Sequence, residues 1–457
     1  MDSTHRTQES ATACAVAETR PAGEDAASRS WRVFPAGSNG EFGLPADLST
    51  VIASGAGCVL RDVRGREFLD FSMGWGSVLL GHAHPAVTAA VTKQAALGSN
   101  FAYVSAASLA LAEEVIRISP ACEQVRFCAS GSEATMYCLR LARAASGKSR
   151  ILKFEGAYHG SHEVGTTSCF AKHLYDWPQP EPLSAGQTED CTQAILVAPF
   201  NDLEVTANII AQHRDDLAAV IVEPLHRCLP PEPGFLAGLR QVCDKHNVLL
   251  IFDEVVTGFR LAYGGAQERY GVIPDLVAYG KAFGGGYPIG LFGGRAEIMD
   301  LVREQRLGVE RYVWTASTLG GNPVSAAASL AALAVLRGEG VYPRLYALGE
   351  YLRTAIRRVL RDHGLPAQVI GDGPLAQMVF CASPVQSSRD IWQGNSALGR
   401  QVMLELFQRG VFLNPMGTKL YLSLAHDESV CDQFADRLAE VLPIACGRET
   451  RAGSKPQ

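Results

Sequence analysis

Two residues in the middle of the chain have the type and the setting to do chemistry. An apolar run, Val248 to Phe252, ends in Asp253 and Glu254. Such a run reads as a buried strand, and a carboxylate at its tip lies at the carboxyl edge of a sheet. A second short run, Asp275 to Tyr279, ends at Gly280-Lys281, and Gly284, Gly285 and Gly286 follow. Lys281 is thus placed where a strand gives way to a flexible loop. A lysine held against apolar surface loses its proton easily and becomes an amine nucleophile. An acid able to pair with a ring nitrogen, plus a Schiff-base lysine, is the minimum kit for pyridoxal phosphate chemistry.

Further candidates lie on either side. ASGSEAT, residues 129–135, follows a strand pattern and opens a helix. Ser130, Gly131 and Ser132 there offer N–H groups and hydroxyls to a phosphate; the plainer reading is an ordinary helix cap. In EGAYHG, residues 155–160, Tyr158 could lie flat on a planar ring and His159 support it. A loop aromatic and a capping histidine are the alternative. Glu223 ends the run AAVIVE, either near the substituents of such a ring or solvated at a strand end. Thr318, in TLGGNP, could complete a phosphate site or simply shape a turn. Trp75, in GWG, offers a flat face for a substrate ring. His82 and His84 have the spacing of a metal pair but no third ligand, and Asp253-Glu254 lacks the rest of a hard-cation shell. No metal is expected.

These residues need elements to hold them. Strand patterns at 125–129, 150–155, 194–198, 217–223 and 248–253 alternate with helical ones at 130–146, 202–213 and 235–246. That rhythm predicts a mostly parallel, helix-covered sheet. Helices are also expected after Pro85 and over 107–118, and a hairpin turning at Arg64-Gly65. Beyond Asn322-Pro323 the pattern predicts helices at 324–337, 342–363, 395–409 and 427–441, with strand pieces at 377–381 and 420–424. The expected division is a polar, disordered tail over 1–30, a first segment of a small domain over 31–95, and a large cofactor-binding domain over 96–325. A C-terminal small α+β domain over 326–447 and a tail over 448–457 complete it.

Composition narrows the class. Of 457 residues, 47% are apolar and 19% charged, the balance of an ordinary soluble enzyme. A net charge of −6 gives no basis for nucleic-acid binding. No apolar run approaches membrane-span length, and the opening MDSTHRTQES has no apolar signal core, so a cytoplasmic protein is expected. The twelve cysteines are scattered without a C-x-x-C pair and read as free thiols.

Taken together, ASGSEAT, KFEGAYHG, VIVEP, LIFDEVVTGFR, GKAFGGGYPIG and TLGGNP resemble the class III pyridoxal-phosphate aminotransferases, most closely the glutamate-1-semialdehyde aminomutase branch. The resemblance implies an α/β fold of type I: a large domain with a mainly parallel seven-stranded sheet covered by helices, and a smaller α+β domain from both termini. It implies that Lys281 makes the Schiff base and shuttles a proton, and that Asp253 pairs with the pyridinium nitrogen. Tyr158 and Val255 would pack on the two ring faces. Gly131 and Ser132, beside Ser130, would hold the phosphate together with Thr318 of the partner subunit. A homodimer with shared sites follows, acting on a small amino donor and a carbonyl acceptor.

One departure bears on substrate. The branch carries a loop like PGGVNSPVR, whose arginine holds a carboxylate. Here the segment is PAGSNGEFG, with Gly43 in that place and Glu41 nearby. A later region, MGTKLYLSLAHDES, offers Lys419 but no arginine. A loop that has lost a cation and gained an acid suits a polar or cationic substrate better than a dicarboxylate. The expectation is transamination of an amino sugar or cyclitol, as in aminoglycoside-type antibiotic biosynthesis, with the aminomutase as the alternative.

Overall fold

Six consecutive buried residues, Leu217–Val222, make the strand β7 at the centre of the molecule. A strand buried on both faces needs helices above and below it, which a parallel βα succession supplies. The computed structural model, describing residues 25–40, 43–170, 172–308, 310–415 and 417–452, shows that arrangement. The strands are β1 (Ile52–Ala56), β2 (Val59–Asp62), β3 (Glu67–Asp70), β4 (Gln124–Cys128), β5 (Arg150–Phe154), β6 (Ile195–Ala198), β7, β8 (Leu249–Asp253), β9 (Leu276–Tyr279), β10 (Gly290–Gly294), β11 (Gln368–Ile370), β12 (Leu375–Val379), β13 (Val411–Phe412) and β14 (Lys419–Tyr421). The main sheet has seven strands in the order β4-β10-β9-β8-β7-β5-β6. It is parallel from β9 to β6, while β10 runs antiparallel to both its neighbours.

β10 was not expected from the pattern. Its sequence, GLFGG, lacks the β-branched signal of a strand. Its glycines are there for room: a Cβ on Gly290 would come within 2.2 Å of the Ser130 carbonyl oxygen.

A second core is built by the C-terminal helices Val341–Asp362, Ser396–Gln408 and Glu428–Ala452 around the sheet β11-β12-β14. The N-terminal hairpin β2–β3 joins this unit because β13, from near the end of the chain, pairs in parallel with β3. Two boundaries differ from expectation. Residues Ala26–Val33 form a helix where a disordered tail was expected up to residue 30. The last helix runs on to Ala452, past the expected end at 441. No single helix among the described residues is long and apolar enough to cross a membrane.

Topology delivers the site. β9, β8, β7 and β5 are parallel neighbours, so their carboxyl ends lie side by side. Lys281 follows β9, Asp253 ends β8, Glu223 follows β7, and the loop with Tyr158 and His159 follows β5.

Candidate active site

These ends open into a cavity of about 210 Å³ lined by Gly131, Ser132, Tyr158, Asp253, Val255 and Lys281. A larger one of about 450 Å³ lies beside it, walled by Trp75, Phe170, Trp392 and Gln377 among others. The two share Tyr158, Glu223, Arg227, Val256 and Lys281, so they form one continuous site.

Asp253 is 5% exposed and both its oxygens are engaged. Oδ1 accepts the Val255 N–H at 3.0 Å, and Oδ2 accepts from His159 Nδ1 at 2.7 Å. An ionised carboxylate only accepts, so Nδ1 carries the proton. The His159 Nε2 is buried and unpartnered among the described residues. Lys281 is held at φ +48°, and burial lowers its ammonium pKa from the usual value, although Tyr421 and Asp253 pull the other way. A lysine so placed is readily the free amine a Schiff base needs.

At the other end of the smaller cavity the helix Gly131–Ser146 begins. Gly131 is a close approach: a Cβ there would lie 2.8 Å from the Val255 side chain. Ser132 Oγ accepts the Ser161 N–H at 3.2 Å, which leaves its own O–H to donate. Ser130 differs from its neighbours. Its Oγ caps the helix by accepting the Glu133 N–H at 3.2 Å, and it does not line the cavity. The positive helix end and free N–H groups suit a phosphate. With Tyr158 and Val255 on the cavity wall, a buried acid and an amine, the residues present fit pyridoxal phosphate.

Glu223 accepts the N–H of Tyr158 at 2.9 Å and that of Arg227 at 2.8 Å. Burial alone would raise its pKa, but Arg227, the histidines 226 and 159, and those N–H bonds outweigh it and hold the carboxyl at about 2. Trp75 lines the larger cavity on a left-handed turn, φ +57°. Thr318 lies elsewhere: it lines neither cavity, and its carbonyl accepts from Asn100 at 3.1 Å. Glu41 lies outside the described residues. Arg227 and Lys419 line the larger cavity alongside Glu223. His82 is taken up structurally, with Nε2 2.7 Å from Asp70.

Three residues were not singled out from sequence as parts of the site. Lys153 Nζ donates to the carbonyls of Ala157, Val164, Gly165 and Thr167 at 2.9, 3.0, 3.2 and 2.5 Å, gathering the loop that carries Tyr158 and His159. Glu254, fully buried, accepts from Thr257, Ala266 and Gln267 and so ties β8 to the next helix. Arg227 enters both cavities. A buried lysine inside RILKF could have been noticed as an odd cation in a strand pattern; Arg227 gave no such signal.

Comparison with known proteins identifies the family. The profile of the family described as Aminotransferase class-III matches residues 45–442. The glutamate-1-semialdehyde 2,1-aminomutase of Thermomicrobium roseum is 38% identical over 416 residues, covering 90% of this chain and 95% of that protein. An omega-transaminase from Sphaerobacter thermophilus superposes with a TM-score of 0.84 at 35% identity, over 92% of this chain and 96% of that one. A Pseudomonas aeruginosa glutamate-1-semialdehyde aminomutase solved in complex with PMP gives 0.81 at 25% identity, over 92% and 93%. With the profile spanning nearly the whole chain and relatives this similar, the chain belongs to the class-III aminotransferases, enzymes that work with pyridoxal phosphate.

Proposed function

We propose that this enzyme moves an amino group from an amino-acid or amine donor to the carbonyl of a ring-bearing polar substrate. The observation that carries the transfer chemistry is the joint placement of Lys281, Asp253, Gly131-Ser132 and Tyr158 around one cavity at four neighbouring strand ends. Pyridoxal phosphate, when bound, supplies the carbonyl carbon and the electron-withdrawing ring. Lys281 would hold it covalently and then carry the proton to and from the substrate carbon. Asp253, fixed by His159, would keep a proton on the ring nitrogen. Gly131 and Ser132 would take the phosphate, and Tyr158 and Val255 the two ring faces. Purified protein should be yellow and bleach with borohydride, and Lys281→Ala should lose both properties. A colourless wild-type protein that no pyridoxal phosphate restores would end the proposal.

For the acceptor, the flat faces of Trp75, Phe170 and Trp392 support a sugar or cyclitol ring, with the Gln377 amide available to a hydroxyl. A place in aminoglycoside-type antibiotic biosynthesis is the corresponding expectation. The second reading is the glutamate-1-semialdehyde aminomutase reaction, favoured by the Thermomicrobium relative. Efficient conversion of glutamate-1-semialdehyde to 5-aminolevulinate would decide for it and against the sugar.

The active assembly in this proposal is a homodimer. Exposed Phe101, Tyr103 and Val104 line one concavity with Thr318, away from the chain's own cavity, and Trp314 and Leu319, close to Thr318 in sequence, are exposed as well. That much grouped apolar surface marks an interaction site. Thr318 of the partner subunit would complete the phosphate site. Sedimentation should give twice the chain mass, and Tyr103→Glu should shift it toward the monomer with loss of activity.

A further inference from the structure

We infer that Arg227 receives a carboxylate of the amino donor, which makes that donor an amino acid rather than a simple amine; the inference rests on the aminotransferase reading above. The arginine that the resemblance leads one to expect is absent, since Gly43 stands in its place, and the later region MGTKLYLSLAHDES offers Lys419 but no arginine. The structure puts a different cation in the site.

Arg227 lines both cavities, next to Lys281, Tyr158 and Glu223. Its guanidinium makes no hydrogen bond to another described residue, and the nearest acid, Glu223 Oε1, is 3.9 Å away. Glu223 is already served by two backbone N–H groups, so the pairing leaves the guanidinium donors open. The group is centred 6.0 Å from the Tyr158 ring and 5.7 Å from that of Phe170. Such contacts steady a guanidinium while leaving its planar fork free for two-point capture of a carboxylate.

The backbone supports the same reading. His226 and Leu229 exchange hydrogen bonds of 3.0 and 2.8 Å across a tight turn, and Arg227 occupies it at φ +60°. A glycine adopts that conformation without strain. An arginine kept there against the backbone's preference points to a use for its side chain. Lys419, the other cation on this wall, is spent bracing the turn: its Nζ donates to the Arg227 carbonyl at 2.7 Å and lies 4.9 Å from the Tyr421 ring centre. Lys419 is a positioning residue whose ammonium is anchored to the turn; Arg227 is the cation whose two-point fork is open.

The test compares ligands that differ only in the acid. The holoenzyme is titrated calorimetrically with 3-phenylpropionate and with its neutral counterpart 3-phenylpropanol. The half-reaction is then followed by absorbance with β-phenylalanine and with 1-phenylethylamine, the same amine without the carboxylate. Arg227→Gln should weaken 3-phenylpropionate roughly 10- to 100-fold, the worth of a charge-assisted bond, and raise KM for β-phenylalanine to match. It should leave 3-phenylpropanol and 1-phenylethylamine within about 2-fold. Arg227→Lys, which keeps the charge but not the fork, should fall between. A wild-type enzyme that binds acid and alcohol alike, or a variant that weakens both equally, overturns the assignment. Borohydride bleaching reports separately on the aminotransferase reading, which survives either result.

Discussion

At the scale of single residues, the site depends on a carboxylate whose hydrogen bonds are already committed. Asp253 takes one bond from a backbone N–H and one from His159, and it is nearly out of water. A carboxylate met by a donor at each oxygen is held in one orientation, which is what the proposed pairing with a ring nitrogen asks of it. His159 therefore acts through Asp253. His159→Phe would leave Oδ2 without a donor in a dry setting, at a cost of about 1–3 kcal/mol. The expected outcome is a kcat lower by roughly 10- to 100-fold with KM for the donor nearly unchanged. If Asp253 pairs with the ring nitrogen as proposed, the visible spectrum of the bound cofactor should shift as well. An unchanged spectrum and kcat would remove His159 from the machinery. Asp253→Ala should be far more damaging, since it removes the charge itself.

At the scale of elements, most of what positions the site could be read from pattern. The runs ending at Asp253 and Tyr279 are buried on both faces, and such runs give clear signals. The helix that starts at Gly131 announced itself by a glycine between two serines after a strand pattern. What stayed hidden depends on direction and crowding rather than on residue type. β10 is mostly glycine, chosen for closeness to its neighbours, so no propensity marks it. Arg227 reads as a surface residue until the left-handed turn brings it into the cavity. Lys153 reads as one cation in an apolar run, and only the folded loop supplies its four carbonyls. Those contacts make a prediction at this scale. Lys153→Met keeps the length and apolar stem but leaves buried carbonyls unpaired, which should cost about 3 kcal/mol. The thermal midpoint should fall, and the kcat should fall with it, because the loop carrying Tyr158 and His159 loses its anchor. A variant with the wild-type midpoint would show the loop is held by other means.

At the scale of the whole molecule, two buried histidines must stay uncharged, one linking the main sheet to the C-terminal region and one inside the second unit. His226 lies beneath the large cavity with Nε2 2.9 Å from Ser388 Oγ, linking the sheet to the helix Ser388–Gln393. His426 lies in the second unit, with Nε2 3.1 Å from the Asp70 carbonyl and Nδ1 accepting the Ser423 N–H. Both are fully buried, and burial pushes each pKa down from 6.5 to about 4. A lowered folded-state value means the unfolded chain takes up protons first as the pH drops. Stability is therefore complete above about 6.5 and is lost progressively towards 4. Glu223, held at about 2, begins to add its own loss only below its ordinary value of 4.5. Between pH 6.5 and 4.5 the fall thus belongs to these two histidines together with His162, which burial also pushes down to about 4, at most a few kcal/mol from each. Thermal midpoints of the holoenzyme, taken at one scan rate at pH 7.5, 6.5, 5.5 and 4.8, should decline below 6.5. His426→Gln retains an amide donor and acceptor but has no titration in this range. Its midpoint should be lower than wild type at pH 7.5 and decline less steeply on acidification. Parallel curves for the two proteins would mean that protonation of His426 does not drive the acid loss.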